Sequence, residues 1–430
     1  MTLWSTSRQL NNDVIMKIRR LSSLTIIGML FFLFGFVTWL NGTLIPFLKI
    51  TCELSYTQAL LVTFAFYIAY VVLAFPASSI LRVIGFKRGM AAGLWVMALG
   101  SAVFIPAASL RSYGVFLIGL FIQGAGLALL QTAANPYVTR MGPPESAARR
   151  ISIMGICNKF AGALSPVILG AFILQDVAVL EQQLNEPIPV ATRNALLNSL
   201  AKRVMIPYAG MTLVLILLGI VILYAQLPDY KAFAVGKVKA KQASIWSFHR
   251  LLIGAVAMFL YVGAEVIAGD TITQYGLLQG INLQVAKNFT SFTLVCMLFG
   301  YLLGIVAIPR YISQQNALKI CALSGIFFST GILLTSGWIS VLFVALLGLS
   351  NSLIWPAIFP LAIEGLGSLT EKGSALLVMG IGGGAIVPLL YGKLGELIGE
   401  QQAYGILIPC YMFILAFGII THKQVQLSNK

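Results

Sequence analysis

Charge is what this chain has least of. Asp, Glu, Lys and Arg together make up 10% of its 430 residues while 59% are hydrophobic; soluble domains carry about a quarter charged residues, so a water-soluble globule is excluded. Histidine is almost missing. The two present, His249 and His422, are too far apart in sequence for a shared motif. The five cysteines, Cys52, Cys157, Cys296, Cys321 and Cys410, show no paired spacing, which argues against a disulfide framework or a metal cage. The 13 acidic residues form no obvious pair, and the longest outer connection, 175–204, offers only Asp176, Glu181 and Glu186. No catalytic residue, metal site or cofactor is therefore expected, and an enzyme acting on lipid-linked sugar is the weaker alternative.

What the chain has instead is apolar length. Twelve runs, near 22–47, 57–81, 89–109, 113–137, 151–174, 204–227, 250–275, 290–309, 317–336, 338–361, 374–392 and 402–421, are long enough to cross a hydrocarbon core of about 30 Å as helices. Lys17, Arg19 and Arg20 precede the first run, but it is too long for a signal-peptide core and no small-residue cleavage site follows, so it reads as a retained helix. With the N-terminus placed in the cytoplasm, the basic residues outside are Lys49, Arg111, Arg193, Lys202, Arg203, Lys287 and Lys393; all the others but Lys159, which lies within a run, are cytoplasmic. That asymmetry follows the positive-inside rule, puts both termini in the cytoplasm and accounts for a net charge of +15 with no nucleic-acid partner. The fold class expected is an all-α membrane protein of twelve transmembrane helices.

Six runs precede the longest basic hydrophilic segment and six follow it. The expected organisation is a tail (1–20), a six-helix bundle (21–227), a cytoplasmic linker (228–248), a second six-helix bundle (249–421) and a short tail (422–430). FLFGFVTWLNGTLI (Phe32 to Ile45) set against FLYVGAEVIAGDTI (Phe259 to Ile272) aligns Gly42 with Gly269, and Pro166 and Gly170 share the spacing of Pro388 and Gly392. These matches point to duplicated, pseudo-symmetric halves. The connection RVIGFKRG, Arg82 to Gly89, resembles the glycine turn typical of the major facilitator superfamily, without the acid expected before the glycine.

Polar side chains within hydrocarbon are costly unless they face a partner or water, so they form the functional shortlist. The candidates for contact with a substrate are Thr38, Asn41, Gln131, Asn135, Asn158, Asp270, Gln274 and Asn351. Gln131 and Asn135 are four apart and share a helix face. Amides donate and accept, which suits an uncharged ligand rich in hydroxyls, although small polar residues also join helices to one another. Two acids, Glu265 and Asp270, sit well inside a span and are the candidates for ion coupling, with an ion pair to Lys159 as the alternative; Glu265, two turns deep, is the better candidate for coupling, and Asp270, near the outer end, for contact with substrate. Five residues apart, they point in different directions around the helix. Nearby aromatics, Phe34, Trp39, Tyr67, Tyr261, Tyr275 and Trp355, suit stacking against a sugar as well as ordinary packing. Pro46, Pro136, Pro166, Pro356, Pro360 and Pro388 are candidate pivots.

FFLFGFVTWLNGTLIP, GLFIQGAGLALLQTAANPYVT and RRISIMGICNKFAGALSP resemble the fucose, galactose and glucose proton symporter family of the major facilitator superfamily, most of all its bacterial glucose/galactose branch. The resemblance implies a carrier that imports a monosaccharide across a bacterial inner membrane by alternating access, working as a monomer with a coupling cation, H+ or Na+. A carrier for another polar solute, such as an amino sugar, nucleoside or drug, is the alternative within transport. The family pattern has an aspartate where this chain has Gly42 and an acid where it has Gln131, while Asn41 and Asn158 match. Both first-half carboxyls of the proton-coupled pattern are thus replaced, which leaves relocated proton coupling, sodium coupling or uncoupled transport.

Overall fold

The computed structural model describes residues 23–140, 147–174, 176, 180, 182–184, 186–227, 245–308, 310–364, 366 and 369–428. The expected N-terminal tail and nearly all of the linker lie outside them. So do the side chains of Asn135, Pro136 and of residues 422–430.

Every expected run is a helix: α1 (Ser23–Thr51), α2 (Thr57–Leu81), α3 (Val83–Leu110), α4 (Tyr113–Ala134), α5 (Ile153–Ile173), α6 (Val190–Tyr224), α7 (His249–Asp270), α8 (Leu283–Ala307), α9 (Gln314–Leu334), α10 (Gly337–Ile363), α11 (Lys372–Ile398) and α12 (Glu400–Thr421). Local chemistry fixes their ends. Ser55 opens α2 with a capping box: its hydroxyl accepts from the Gln58 amide N–H while the Gln58 side chain accepts from the Ser55 N–H. Gly85, at φ 79° and ψ 168°, breaks the helical backbone just inside the start of α3, in a conformation that a side chain resists. Gly399, at φ 96°, separates α11 from α12.

Several spans are interrupted near their middles or ends, α6 at Arg203 and Val204, α8 at Lys287 and Asn288 and α12 through a 3-10 turn at Tyr404–Ile406 among them. α1 breaks at Trp39 and Leu40, α10 at Ser352 and Leu353, α11 through a 3-10 turn at Gly380–Gly382, and α7 at Thr271, beyond which a short helix Ile272–Leu278 continues. Pro46, Pro166, Pro360 and Pro388 lie inside uninterrupted helical pieces instead. Pro356, by contrast, follows the α10 break directly, in the first turn of Ile354–Ile363.

The two halves are pinned by matching close approaches. In the first, Gly124 of α4 meets the carbonyl of Phe66 in α2; in the second, Gly348 of α10 meets the carbonyl of Thr293 in α8. Likewise Gly35 of α1 packs on the Asn158 carbonyl of α5, and Gly383 of α11 on the Phe259 carbonyl of α7. Hydrocarbon solvent offers no hydrophobic drive between helices, so such backbone approaches carry much of the association. α7, α10 and α11 are the most enclosed spans, with 61%, 61% and 67% of their apolar windows buried, whereas α6 at 28% lies at the periphery. Exposed Leu213, Leu217 and Ile220 give α6 an apolar outer face.

Candidate functional site

The two halves meet where α1 crosses α7. The Trp39 indole wedges between Gly162 of α5 and Gly269 of α7, each of which must be glycine to admit the ring. Three residues on, Gly42 lies against the Thr290 hydroxyl, which itself donates to the Gly269 carbonyl at 2.8 Å. The two glycines aligned by the internal repeat therefore face each other across one threonine. Ser291, next to it on α8, donates to the Ala163 carbonyl of α5 at 2.6 Å.

Beside this crossing the Lys159 ammonium of α5 donates to Glu265 of α7 at 2.7 Å, with the side chains 9% and 12% exposed. The same ammonium lies over the Trp39 ring, 4.6 Å from its centroid. Tyr67, Tyr261, Tyr301 and Tyr411 all lie within electrostatic reach of the Glu265 carboxylate. Each charge is compensated, and the pair ties one half to the other.

From Glu265 the polar chain runs back into the first half. Tyr67 stacks on Tyr70 with centroids 6.2 Å apart, and Gln131 of α4 donates to the Tyr70 hydroxyl at 3.1 Å. Thr63, Tyr67 and Tyr70 form one stripe of α2 at helical spacing. Thr63 donates to Oδ2 of Asp270 at 3.4 Å, and Asp270, 1% exposed, has no hydrogen-bond partner on Oδ1.

The remaining candidates divide. Asn41, also 1% exposed, has neither its amide nitrogen nor its oxygen paired, which makes it an amide presented for a partner. Asn158 donates to the Phe31 carbonyl of α1 at 3.3 Å, and Asn351 accepts from Tyr411 at 2.9 Å while its nitrogen is unpaired. Gln274 is buried beyond the α7 break, and Thr38 is half-buried at the end of the first piece of α1. The Asn135 side chain lies outside the described residues. Two other intramembrane polar groups belong to packing: Gln123 donates to Ser101 at 2.7 Å, and Thr132 to the Ala128 carbonyl of its own helix. Sequence reasoning missed Thr63, Tyr70, Thr290, Tyr301 and Tyr411. Only the α2 stripe carried a signal that could have been read.

The arrangement joins uncharged hydrogen-bonding groups, aromatic faces and two carboxyls at the seam between repeated six-helix units. A glucose/galactose transporter of Brucella abortus is 37% identical over 405 residues, covering 94% of this chain and 94% of that protein. The L-fucose-proton symporter of Escherichia coli is 30% identical over 408 residues, covering 93% and 92%. In three dimensions the fold matches the crystal structure of FucP, a Major Facilitator Superfamily transporter in the outward conformation, with a TM-score of 0.74 at 28% identity over 93% of this chain and 99% of that one. The model of the Major Facilitator Superfamily matches residues 27–388. Twelve spanning helices, their repeated packing and these matches make this chain a multi-pass membrane protein that belongs to the Major Facilitator Superfamily.

Proposed function

We propose that this protein imports a monosaccharide, glucose or galactose in the first place and fucose as a further substrate, by alternating access of its two bundles in a bacterial inner membrane. The observation that carries the reading is the inter-half polar chain, in which Gln131 reaches Glu265 through the stacked rings of Tyr67 and Tyr70. Amides from several helices suit sugar hydroxyls, and tyrosine faces suit the apolar side of a pyranose. The names of the relatives support the same substrate class.

In this reading Asn41, Gln131 and Asn158 contact sugar from the first half, and Asn351 and Gln274 from the second. Asn135 and Thr38 are further candidates for the same contact. A coupling cation is carried on one of the two intramembrane carboxyls, Glu265 or Asp270, with no other cofactor. Both termini are cytoplasmic, the bundles span 21–227 and 249–421 with the linker 228–248 between them, and the monomer is the working unit. The end where α1 finishes and α2 begins then faces outward, and the contacts gathered there describe a carrier closed on that side.

The test is counterflow of labelled hexoses into proteoliposomes, with amino sugars and nucleosides as competitors. Glucose or galactose should exchange, and Gln131→Ala should weaken apparent affinity about 2- to 10-fold, the range expected for one lost hydrogen bond. Exchange of a nucleoside in place of any hexose would overturn the substrate class, and unchanged sugar affinity in Gln131→Ala and Asn158→Ala would overturn the site.

A further inference from the structure

The two intramembrane carboxyls differ in one respect that decides their roles. Glu265 has its counter-charge in Lys159 at 2.7 Å. Asp270, buried to 1% exposure, has one long hydrogen bond from Thr63 and a bare Oδ1. The groups that face it are known from each packed element. Tyr67 of α2 and Glu265 of its own helix lie within electrostatic reach, α8 presents Thr290 and Thr293 to the neighbouring backbone carbonyls, and α12 presents Tyr404 to Thr271. Lysines of the neighbouring elements are engaged elsewhere, Lys159 on Glu265, Lys287 on Gln284 and Lys49 near Glu400. Among the described residues, no ion pair includes Asp270.

An isolated carboxylate in such surroundings is costly unless a partner compensates its charge. A hard metal cation draws about six oxygen ligands; one hydroxyl and one carboxyl oppose each other here, which is enough for a proton. Resting on the reading of this chain as a sugar carrier, we propose that Asp270 is its proton-carrying group, closed over by Thr63 of the opposite half, while Lys159 and Glu265 form a compensated latch that carries no transported ion.

The chemistry is a single proton transfer. When the halves part at the end where α1 finishes, water reaches the carboxylate and donates a proton to it. The O–H bond persists while α2 covers the group, and the proton returns to water when the opposite end opens. Thr63, supplied by the other half, makes the protonated site one that forms only on closure.

Purified full-length protein in proteoliposomes tests this. With a one-unit inward pH gradient and no sodium, wild type should accumulate hexose about tenfold, the ratio matching a single proton. Asp270→Asn, which mimics the protonated acid, should bring accumulation to the level of passive equilibration while counterflow persists and loses its pH dependence. The paired replacement Lys159→Met with Glu265→Gln should still respond to the gradient. Should Asp270→Asn fail to assemble, two further readouts apply: sugar-induced proton uptake by wild type in unbuffered detergent, and a shifted pH profile in Thr63→Val. Tenfold accumulation by Asp270→Asn, accumulation driven by sodium at uniform pH, or absence of proton uptake would each overturn the assignment. Loss of counterflow by wild type itself would instead remove the sugar reading.

Discussion

Gly42 shows how much a single atom decides in this seam. The family pattern places an aspartate there, but a side chain at this position would run into the Thr290 hydroxyl, which is already committed to the Gly269 carbonyl. Gly42→Asp would therefore overpack the crossing, at a cost of about 1 to 3 kcal/mol, and add a buried charge. Its melting temperature in detergent should fall, and Thr290→Ala in the same chain should recover part of the loss; an unshifted melting temperature would mean the crossing is looser than described. At this scale the sequence revealed residue types better than partners. Glu265 and Asp270 stood out because carboxyls are rare in apolar runs, and Lys159, the one basic residue within a run, was legible as their counter-charge; the fold decides which acid it meets, bringing it to 2.7 Å from Glu265. Gln123 and Gln131 are both amides in one helix, and what separates them is that one meets Ser101 and the other Tyr70.

Among the elements, the twelve spans were readable because a run of eighteen or more apolar residues has few other uses. Their interruptions were not. The α1 break lies at Trp39, whose ring fills a gap made by glycines on two other helices, and no local signal encodes that. The helix Val190–Lys202, placed at the start of α6, was hidden in what read as a loop because its polar residues outnumber a narrow stripe of Leu197, Leu200 and Ala201. The duplicated glycine contacts make a paired prediction. Gly124→Ala and Gly348→Ala each push a methyl group into a backbone carbonyl that cannot rotate aside, so both should lower the melting temperature by similar amounts. Gly114→Ala and Gly210→Ala, with open space around them, should be neutral or gain up to about 1 kcal/mol from helix propensity. Equal behaviour of all four variants would remove the claim that close approach holds each half together.

For the whole molecule, the seal at the end where α1 finishes and α2 begins is a set of separable contacts between halves. At its rim the Thr57 hydroxyl of α2 donates to Glu396 of α11, and Leu60 packs on Gly392. Deeper lie Thr63 with Asp270, then Trp39 with Gly269. If the bundles rock about this seam, tying the rim must stop the cycle. Cysteines replacing Thr57 and Glu396, bridged by a short cleavable thiol reagent, should reduce hexose counterflow to the background of empty vesicles, with recovery on cleavage. Undiminished flux in the bridged protein would show that these helix ends do not separate during transport.

Trp39 gives this movement a built-in optical reporter. Its indole touches both bundles and carries an ammonium over its face, so parting the bundles would hydrate the ring and strip away the nearby charge together. With the other five tryptophans replaced by phenylalanine, the emission spectrum of this one residue would register which way the carrier faces.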